Sequence, residues 1–300
     1  MVSRDTLHID PPFRERLVSA GLDGVARVLA CRGDHLAAWS RTSDAIRVDL
    51  PENGGAIYVK RYHYPTLKRR WRGFFRGTFF GMSRARSEFR NLRQMRQLGI
   101  HAVRPIAWGE RRTLHLVRSC FLITEAVPDA LSLAAFVQTF HHRPMVRSRV
   151  RARHEVLRSL AAEVRRMHEA GFVHQDLFWR NVLVRPLSGE RFEFYVLDAS
   201  LGRRIRVKAW RREKIVHDLA ALSVLAPDFC TKSDQLRFIR EYLGATTLGE
   251  EDRAWLTDVQ KHWALYRRTE RQRLERGRVF DRPPLSGSAP TPTAAPPAAT

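Results

Sequence analysis

His174, Asp176 and Asn181 stand within one twelve-residue stretch, VHQDLFWRNVLV (173–184), and Asp198 closes the run YVLD seventeen residues after Asn181. These residue types at these intervals suit phosphoryl transfer. One carboxylate can orient an attacking hydroxyl and take its proton, while a carboxamide and a second carboxylate hold magnesium on nucleotide phosphates. Asp176 is the candidate for the first role, and Asn181 and Asp198 for the second. His174 reads as a loop-shaping residue that bonds backbone. An isolated H-x-D arises by chance. A fixed-distance Asn, flanking apolar strands and a later strand-terminal Asp together make a much narrower pattern.

Two upstream residues fit the same chemistry. Lys60 lies in the β-prone run IYVKRY, where a lysine can grip the α and β phosphates of ATP. Glu88 lies in SRARSEFRNL and can pair with Lys60. Arg61 competes for the cation's role and, more weakly, Glu110 for the acid's. The segment TEAV (124–127) follows a strand and offers backbone groups, at Glu125 and Val127, to adenine. The loop has the spacing of the protein-kinase signature H-R-D-L-x-x-x-N, with Gln175 in place of its arginine.

The elements around these residues fall in two halves. AIYVKRY and CFLITE (120–125) read as strands, the first preceded by the turn signal Glu52-Asn53-Gly54-Gly55. A helix starts near Ser83: Ala85, Phe89, Leu92, Met95 and Leu98 recur at three and four, and Gly99 is placed to cap it. Beyond it, Leu157, Leu160, Ala161, Val164 and Met167 form a second stripe that stops at Gly171. Apolar strands follow at Val182–Val184 and Phe192–Leu197, then helical patterns at 215–225, 234–243 and 251–275. The expected fold is therefore α+β and two-lobed. It divides into a β-rich N-lobe over 1–126 (with residues before about 25 peripheral), an α-rich catalytic C-lobe over 127–281, and a disordered Pro/Ala-rich tail over 282–300.

Three hundred residues with 44% hydrophobic and 28% charged side chains are those of an ordinary globular protein. No apolar run approaches the ~20 residues of a membrane span, and the N-terminus lacks a signal peptide's apolar core. Cys31, Cys120 and Cys230 are scattered, which points to buried free thiols in a reducing, cytoplasmic setting and away from a disulfide frame or zinc site. The net charge of +22 suits a polyanionic partner. Basic clusters lie at 60–76, 143–153, 203–214 and 267–278. The first, interleaved with Trp71, Phe74, Phe75, Phe79 and Phe80, suits an anionic membrane surface or a phosphorylated glycolipid. No nucleic-acid reader motif is present, and none is expected as partner.

The stretches FFGMSRARSEFRNLRQMRQLGI, MHEAGFVHQDLFWRNVLV and VLDASLGR resemble the lipopolysaccharide kinase family, which includes Kdo and heptose kinases and InaA-like proteins. The resemblance covers roughly 55–225. It implies a protein-kinase-like fold and transfer of phosphate from ATP, with Mg2+, to a sugar hydroxyl (heptose or Kdo) of the lipopolysaccharide core. It also implies peripheral work at the cytoplasmic face of the inner membrane. By position it makes Asp176 the base, Asn181 and Asp198 metal ligands, and Lys60 the phosphate contact. The chain departs from the pattern in places. No G-x-G-x-x-G precedes Lys60, and Cys31-Arg32-Gly33-Asp34 is a poor substitute, so the phosphate-covering loop has no assigned position. Asp198 is followed by Ala199-Ser200 in place of Phe-Gly. No Ala-Pro-Glu lies between Asp198 and Asp218, which leaves little room for a peptide-docking segment and argues against a protein substrate. Asp218 has two readings: a buried brace for the catalytic loop, or a helix N-terminal acid favoured by the macrodipole. The alternatives to a core-sugar kinase are an atypical protein or small-molecule kinase and a pseudokinase scaffold that binds a polyanion.

Overall fold

The computed structural model describes residues 3–33, 35–40, 43–51, 55–64, 81–113, 115–141 and 147–275. Its first part runs β1 (Ser3–Ile9), α1 (Arg14–Ser19), α2 (Val25–Ala30), β2 (His35–Ser40), β3 (Ser43–Asp49), β4 (Ala56–His63), α3 (Arg84–Gln97), β5 (Pro105–Thr113) and β6 (Leu116–Glu125). The strands form one antiparallel sheet in the order β1-β5-β6-β4-β3-β2.

Alternation along a strand decides what each face meets. On one face, Ile57 and Val59 of β4 and Phe121 and Ile123 of β6 pack under Phe13, Leu17, Val25 and Val28. On the other, Tyr62, Cys120 and Leu122 pack against Ala85, Phe89, Leu92 and Met95 of α3. Lys60, two residues from Tyr62, therefore leaves β4 on the face that α3 covers. The helix begins where the spacing placed it, with the Ser83 hydroxyl accepting the Arg86 N–H at 3.2 Å. It ends at Gly99, whose φ of 76° lets the Gly99 and Ile100 N–H groups bond the Arg96 and Met95 carbonyls.

The second part is mainly helical: β7 (Leu131–Ser132), α4 (Leu133–His141), α5 (Arg147–Glu169), β8 (Phe172–Val173), β9 (Val182–Pro186), β10 (Phe192–Val196), β11 (Arg203–Arg204), α6 (Lys208–Leu222), α7 (Ala226–Phe229), α8 (Lys232–Leu243) and α9 (Glu250–Glu275). The α5 stripe is buried from Val156 to Met167 and stops at Gly171, at φ 82°. Two small sheets, β10-β9-β7 and β11-β8, carry the loops that hold the polar residues. The two parts lock through Ala102 and Val196, which form a parallel bridge; the Val103 N–H and His101 carbonyl bond the Val196 backbone at 3.0 Å each. Glu163 of α5 accepts the His101 N–H at 2.8 Å. β10, which ends two residues before Asp198, is thus clamped to the segment leading into β5.

Three expectations need correction. The first 25 residues are not peripheral: β1 pairs with β5 along seven positions, and Ile9, Phe13, Leu17 and Leu22 are core. The ladder there is made by backbone, so a polar run such as SRDTLH forms an edge strand without an apolar alternation to announce it. The first half also holds α1 and α2 beside the one expected helix, each six residues long and too short for a clear 3.6 period. Of the three thiols, all free, only Cys120 is buried, and burial pushes it up to about 12. The expected tail over 282–300, the Asn53-Gly54 turn and the aromatic-basic run over 65–80 lie outside the described residues.

Candidate active site

β8 delivers the chain into the loop His174–Phe178, and a 3-10 turn (Trp179–Asn181) returns it to β9. Gln175 holds a φ of 64°, a left-handed conformation that costs a non-glycine residue roughly 1–2 kcal/mol. Asp218 holds it there. This carboxylate is wholly buried in the interior of α6; Oδ2 accepts the His174 N–H at 2.7 Å and Oδ1 the Gln175 N–H at 2.6 Å. His168 Nε2 lies 3.3 Å from the same Oδ2, and its Nδ1 lies 2.8 Å from the Tyr242 hydroxyl. Of the two readings of Asp218, the brace is the one the contacts support: it sits eleven residues into a fifteen-residue helix, beyond the reach of an N-terminal dipole.

His174 is buried between the loop and the next strand. Its Nε2 is 2.9 Å from the Leu197 carbonyl, which can only accept, so the proton sits on Nε2. Nδ1 accepts the Asp176 N–H at 3.3 Å. The neutral ring is a strut, as its position in the motif implied. The Asn181 amide donates to the Asp176 carbonyl at 2.8 Å and to Asp176 Oδ2 at 2.9 Å. With its NH2 turned to two oxygens, Asn181 presents Oδ1 the other way. The Leu197 N–H bonds the Asn181 carbonyl at 3.0 Å, which sets Asp198 beside it.

Asp198 also takes a positive φ, 56°. Its Oδ1 lies 2.8 Å from Lys60 Nζ, and Lys60 is 3.2 Å from each oxygen of Glu88. The Tyr62 hydroxyl donates to Glu88 at 2.8 Å. Burial works to raise the Asp198 pKa, but the Lys60 ammonium overrides it and holds the carboxyl well below the usual range. Lys60 itself is pressed down by burial and carried up by Asp198 and Glu88, so it stays charged. The Asn91 amide on α3 donates to the carbonyls of Ala199 (2.7 Å) and Gly202 (2.6 Å), fastening the helix that carries Glu88 to the turn after Asp198. Burial, the main influence, raises the Asp176 pKa from its ordinary value, with Arg180 pulling against it.

The competitors are excluded by geometry. Arg61 points to the opposite sheet face, bonded to Asp44 at 2.8 Å and to the Cys31 carbonyl at 2.6 Å. Glu110 pairs with Arg112 at 2.8 Å. Glu125 and Val127 lie apart from the ion cluster, at the end of β6. Glu125 is opposite Ile57, three residues before Lys60 on β4. The Glu125 N–H is taken by the Arg104 carbonyl at 2.9 Å, and its side chain lies 3.8 Å from Arg16. The Val127 N–H takes none of the hydrogen bonds made among the described residues.

Two parts of the site were not legible beforehand. The β2–β3 hairpin stands next to β4, with Ser43 opposite Tyr62 and Asp49 opposite Ala56. Its closed end therefore lies at the Lys60–Tyr62 end of β4, away from Ala56 and the Ala126 N–H it binds. No glycine stands in either strand of this hairpin, so nothing in the sequence singled it out. The other is Arg180, which bridges Asp176 Oδ1 (3.2 Å) to the buried Glu270 on α9 (3.2 Å) and lies over the Phe178 ring. Nothing marked it among 53 basic residues. As a donor set, the Asp198 carboxylate and Asn181 Oδ1 are hard oxygens of the kind magnesium takes when nucleotide phosphates complete its shell.

The model of the lipopolysaccharide kinase (Kdo/WaaP) family matches residues 48–242. The lipopolysaccharide core heptose(I) kinase WaaP of Pseudomonas aeruginosa is 30% identical over 164 residues, which cover 53% of this chain and 59% of that protein. WaaP of Escherichia coli K12 is 26% identical over 229 residues, covering 75% and 83%. A solved structure of WaaP in complex with acyl carrier protein superposes with a TM-score of 0.59 at 24% identity, over 89% of this chain and 98% of that one, and so shares its kinase-like fold. The chain belongs to the Kdo/WaaP lipopolysaccharide kinase family.

Proposed function

We propose that this protein transfers the γ-phosphate of ATP to a sugar hydroxyl, on heptose or Kdo, of the lipopolysaccharide core. The observation that carries the reading is the joining of two residue sets, Lys60–Glu88–Asp198 and Asp176–Asn181, through His174 and Leu197 into one site. In this account the Glu125 carbonyl and Val127 N–H meet adenine. Lys60, held by Glu88, contacts the α and β phosphates. Asp198 and Asn181 hold magnesium, which when bound neutralises the phosphate charge. Asp176 orients the acceptor hydroxyl and takes its proton as the new phosphorus–oxygen bond forms and the bond from the γ-phosphorus to the β–γ bridging oxygen breaks, releasing ADP. Burial raises its pKa from the ordinary value, in the direction that suits a base. Lys60 releases Asp198 when phosphates arrive, since a phosphate oxygen offers the ammonium the same charge.

The resemblance to heptose kinases supports the acceptor class, and the net charge of +22 supports an anionic membrane surface as the place where the acceptor is met. Among the described residues no helix is long and apolar enough to cross a membrane. Acyl carrier protein, present in the WaaP structure, is a further candidate partner, tested by co-purification. The test of function is labelled-phosphate transfer from ATP to deep-rough lipopolysaccharide, with and without magnesium. Label on the core sugar supports the proposal. Turnover that ignores the glycolipid rejects the acceptor, and nucleotide binding with no transfer to any acceptor rejects the enzyme.

A further inference from the structure

The segment Leu201–Arg212, LGRRIRVKAWRR, holds six cations and no acid. It also carries three large apolar side chains turned to solvent: Leu201 is 57% exposed, Val207 51% and Trp210 70%, the most exposed large apolar side chain among the described residues. Arg203, Arg204, Arg206, Lys208 and Arg212 are exposed between and beside them. An exposed tryptophan costs free energy in water that a globular protein ordinarily avoids, and a ring of cations around it does nothing for folding. Both features suit the interface of an anionic bilayer. There an indole sits at headgroup level, and each nearby Lys or Arg strengthens binding about fivefold.

The fold ties this segment to the site. β11 pairs Arg203 with Val173 and Arg204 with Phe172, and the Ile205 N–H bonds the Gly171 carbonyl at 2.7 Å. The Gln175 amide donates to the Leu201 carbonyl at 2.6 Å. Val173 precedes Asp176 by three residues, so the backbone at Arg203 lies within ~16 Å of that at Asp176. A bilayer under this surface would present a lipid-anchored sugar about one headgroup's reach from the proposed base.

We infer that Leu201–Arg212 is the surface by which the protein lies on an anionic phospholipid bilayer, with Val207 and Trp210 at headgroup depth and Arg206, Lys208 and Arg212 on lipid phosphates. The inference rests on the proposed reading of a membrane-borne glycolipid acceptor and names the face that meets the membrane. The test uses the full chain and vesicles of phosphatidylcholine with or without 30 mol% phosphatidylglycerol, free of glycolipid and nucleotide (composition about that of an anionic leaflet). Co-sedimentation should require the anionic lipid. It should weaken on the order of 100-fold in the Arg206→Gln/Lys208→Gln/Arg212→Gln variant, and about tenfold or more in Val207→Ser/Trp210→Ser. Unchanged melting temperatures would show that the exposed substitutions spare the fold. Vesicle binding equal to wild type in both variants overturns the inference, as does binding that ignores lipid charge or capture by nucleic acid in preference to vesicles. Phosphate transfer to a detergent-dispersed acceptor is read separately: retained by the variants, it leaves the proposed function standing even where the surface assignment fails.

Discussion

Replacing Asp218 by Asn removes one of two acceptors from a site with no solvent. Oδ1 and Oδ2 each receive a backbone N–H, at 2.6 and 2.7 Å, and His168 shares Oδ2. A carboxamide is nearly the same shape but has a single oxygen. Whichever way it turns, its NH2 faces either the Gln175 or the His174 N–H, donor against donor. A charge-assisted hydrogen bond contributes ~1.5–3 kcal/mol, and a buried N–H left without a partner costs ~1–3 kcal/mol. These overlap, so the combined loss is about 2–4 kcal/mol. For a chain of this size that lowers Tm by roughly 3–7 °C. The strained Gln175 backbone loses its anchor at the same time, so the loop relaxes and Asp176 shifts. Turnover should fall at least about tenfold, because orientation of the base matters at the ångström scale. Far-UV circular dichroism melts, with Asp258→Asn as an exposed control expected within about 0.5 kcal/mol of wild type, measure the first effect. A Tm within about 1 °C of wild type would refute the claim that this carboxylate holds the loop.

Other outcomes follow from the same contacts. Asp234, which closes a capping box with Thr231 and pairs with Arg153, is raised by burial but held below its ordinary value by the Thr231 hydroxyl and N–H and by Arg153. Because its folded pKa lies below its unfolded one, its contribution is present at neutral pH and fades as pH falls through the folded value. Asp234→Asn should therefore cost about 1–2 kcal/mol at pH 7 and converge with wild type in acid; parallel urea curves down to pH 3 check this, and a constant gap contradicts it. Arg180→Gln and Glu270→Gln should each slow turnover, and the double variant should be no slower than the worse single one. Coupling above about 1 kcal/mol in kcat marks the Asp176–Arg180–Glu270 relay, and simple additivity argues against it. Lys60→Met should cut kcat/KM by about 100-fold or more while leaving the fold intact; a Tm loss with full activity would make the cluster structural only.

The site residues with fixed spacing were legible because a short polar loop between apolar strands is read from local sequence alone. The same holds for Lys60 and Glu88: a β-prone run carried one and a helical pattern the other, and the structure brings the two within 3.2 Å. What escaped depended on distant pairing. Glu270 reaches Arg180 across 90 residues, a range at which one acid looks like any other, whereas Asp218 was named as a possible brace and only its contacts, 44 residues away, chose between its two readings. The β2–β3 hairpin lacks the glycines that mark a phosphate loop elsewhere, and β1 carries its information in backbone hydrogen bonds, which side-chain pattern does not report.

The most direct measurement is transfer of label from γ-labelled ATP to heptose-containing deep-rough lipopolysaccharide by wild type and Asp176→Asn, with nucleotide affinity measured for both. The account predicts phosphate on a core sugar with wild type. For the variant it predicts a rate lower by ~100-fold or more at little-changed nucleotide affinity, since the base acts on the acceptor. Equal rates in the two proteins, with nucleotide bound by both, would contradict it.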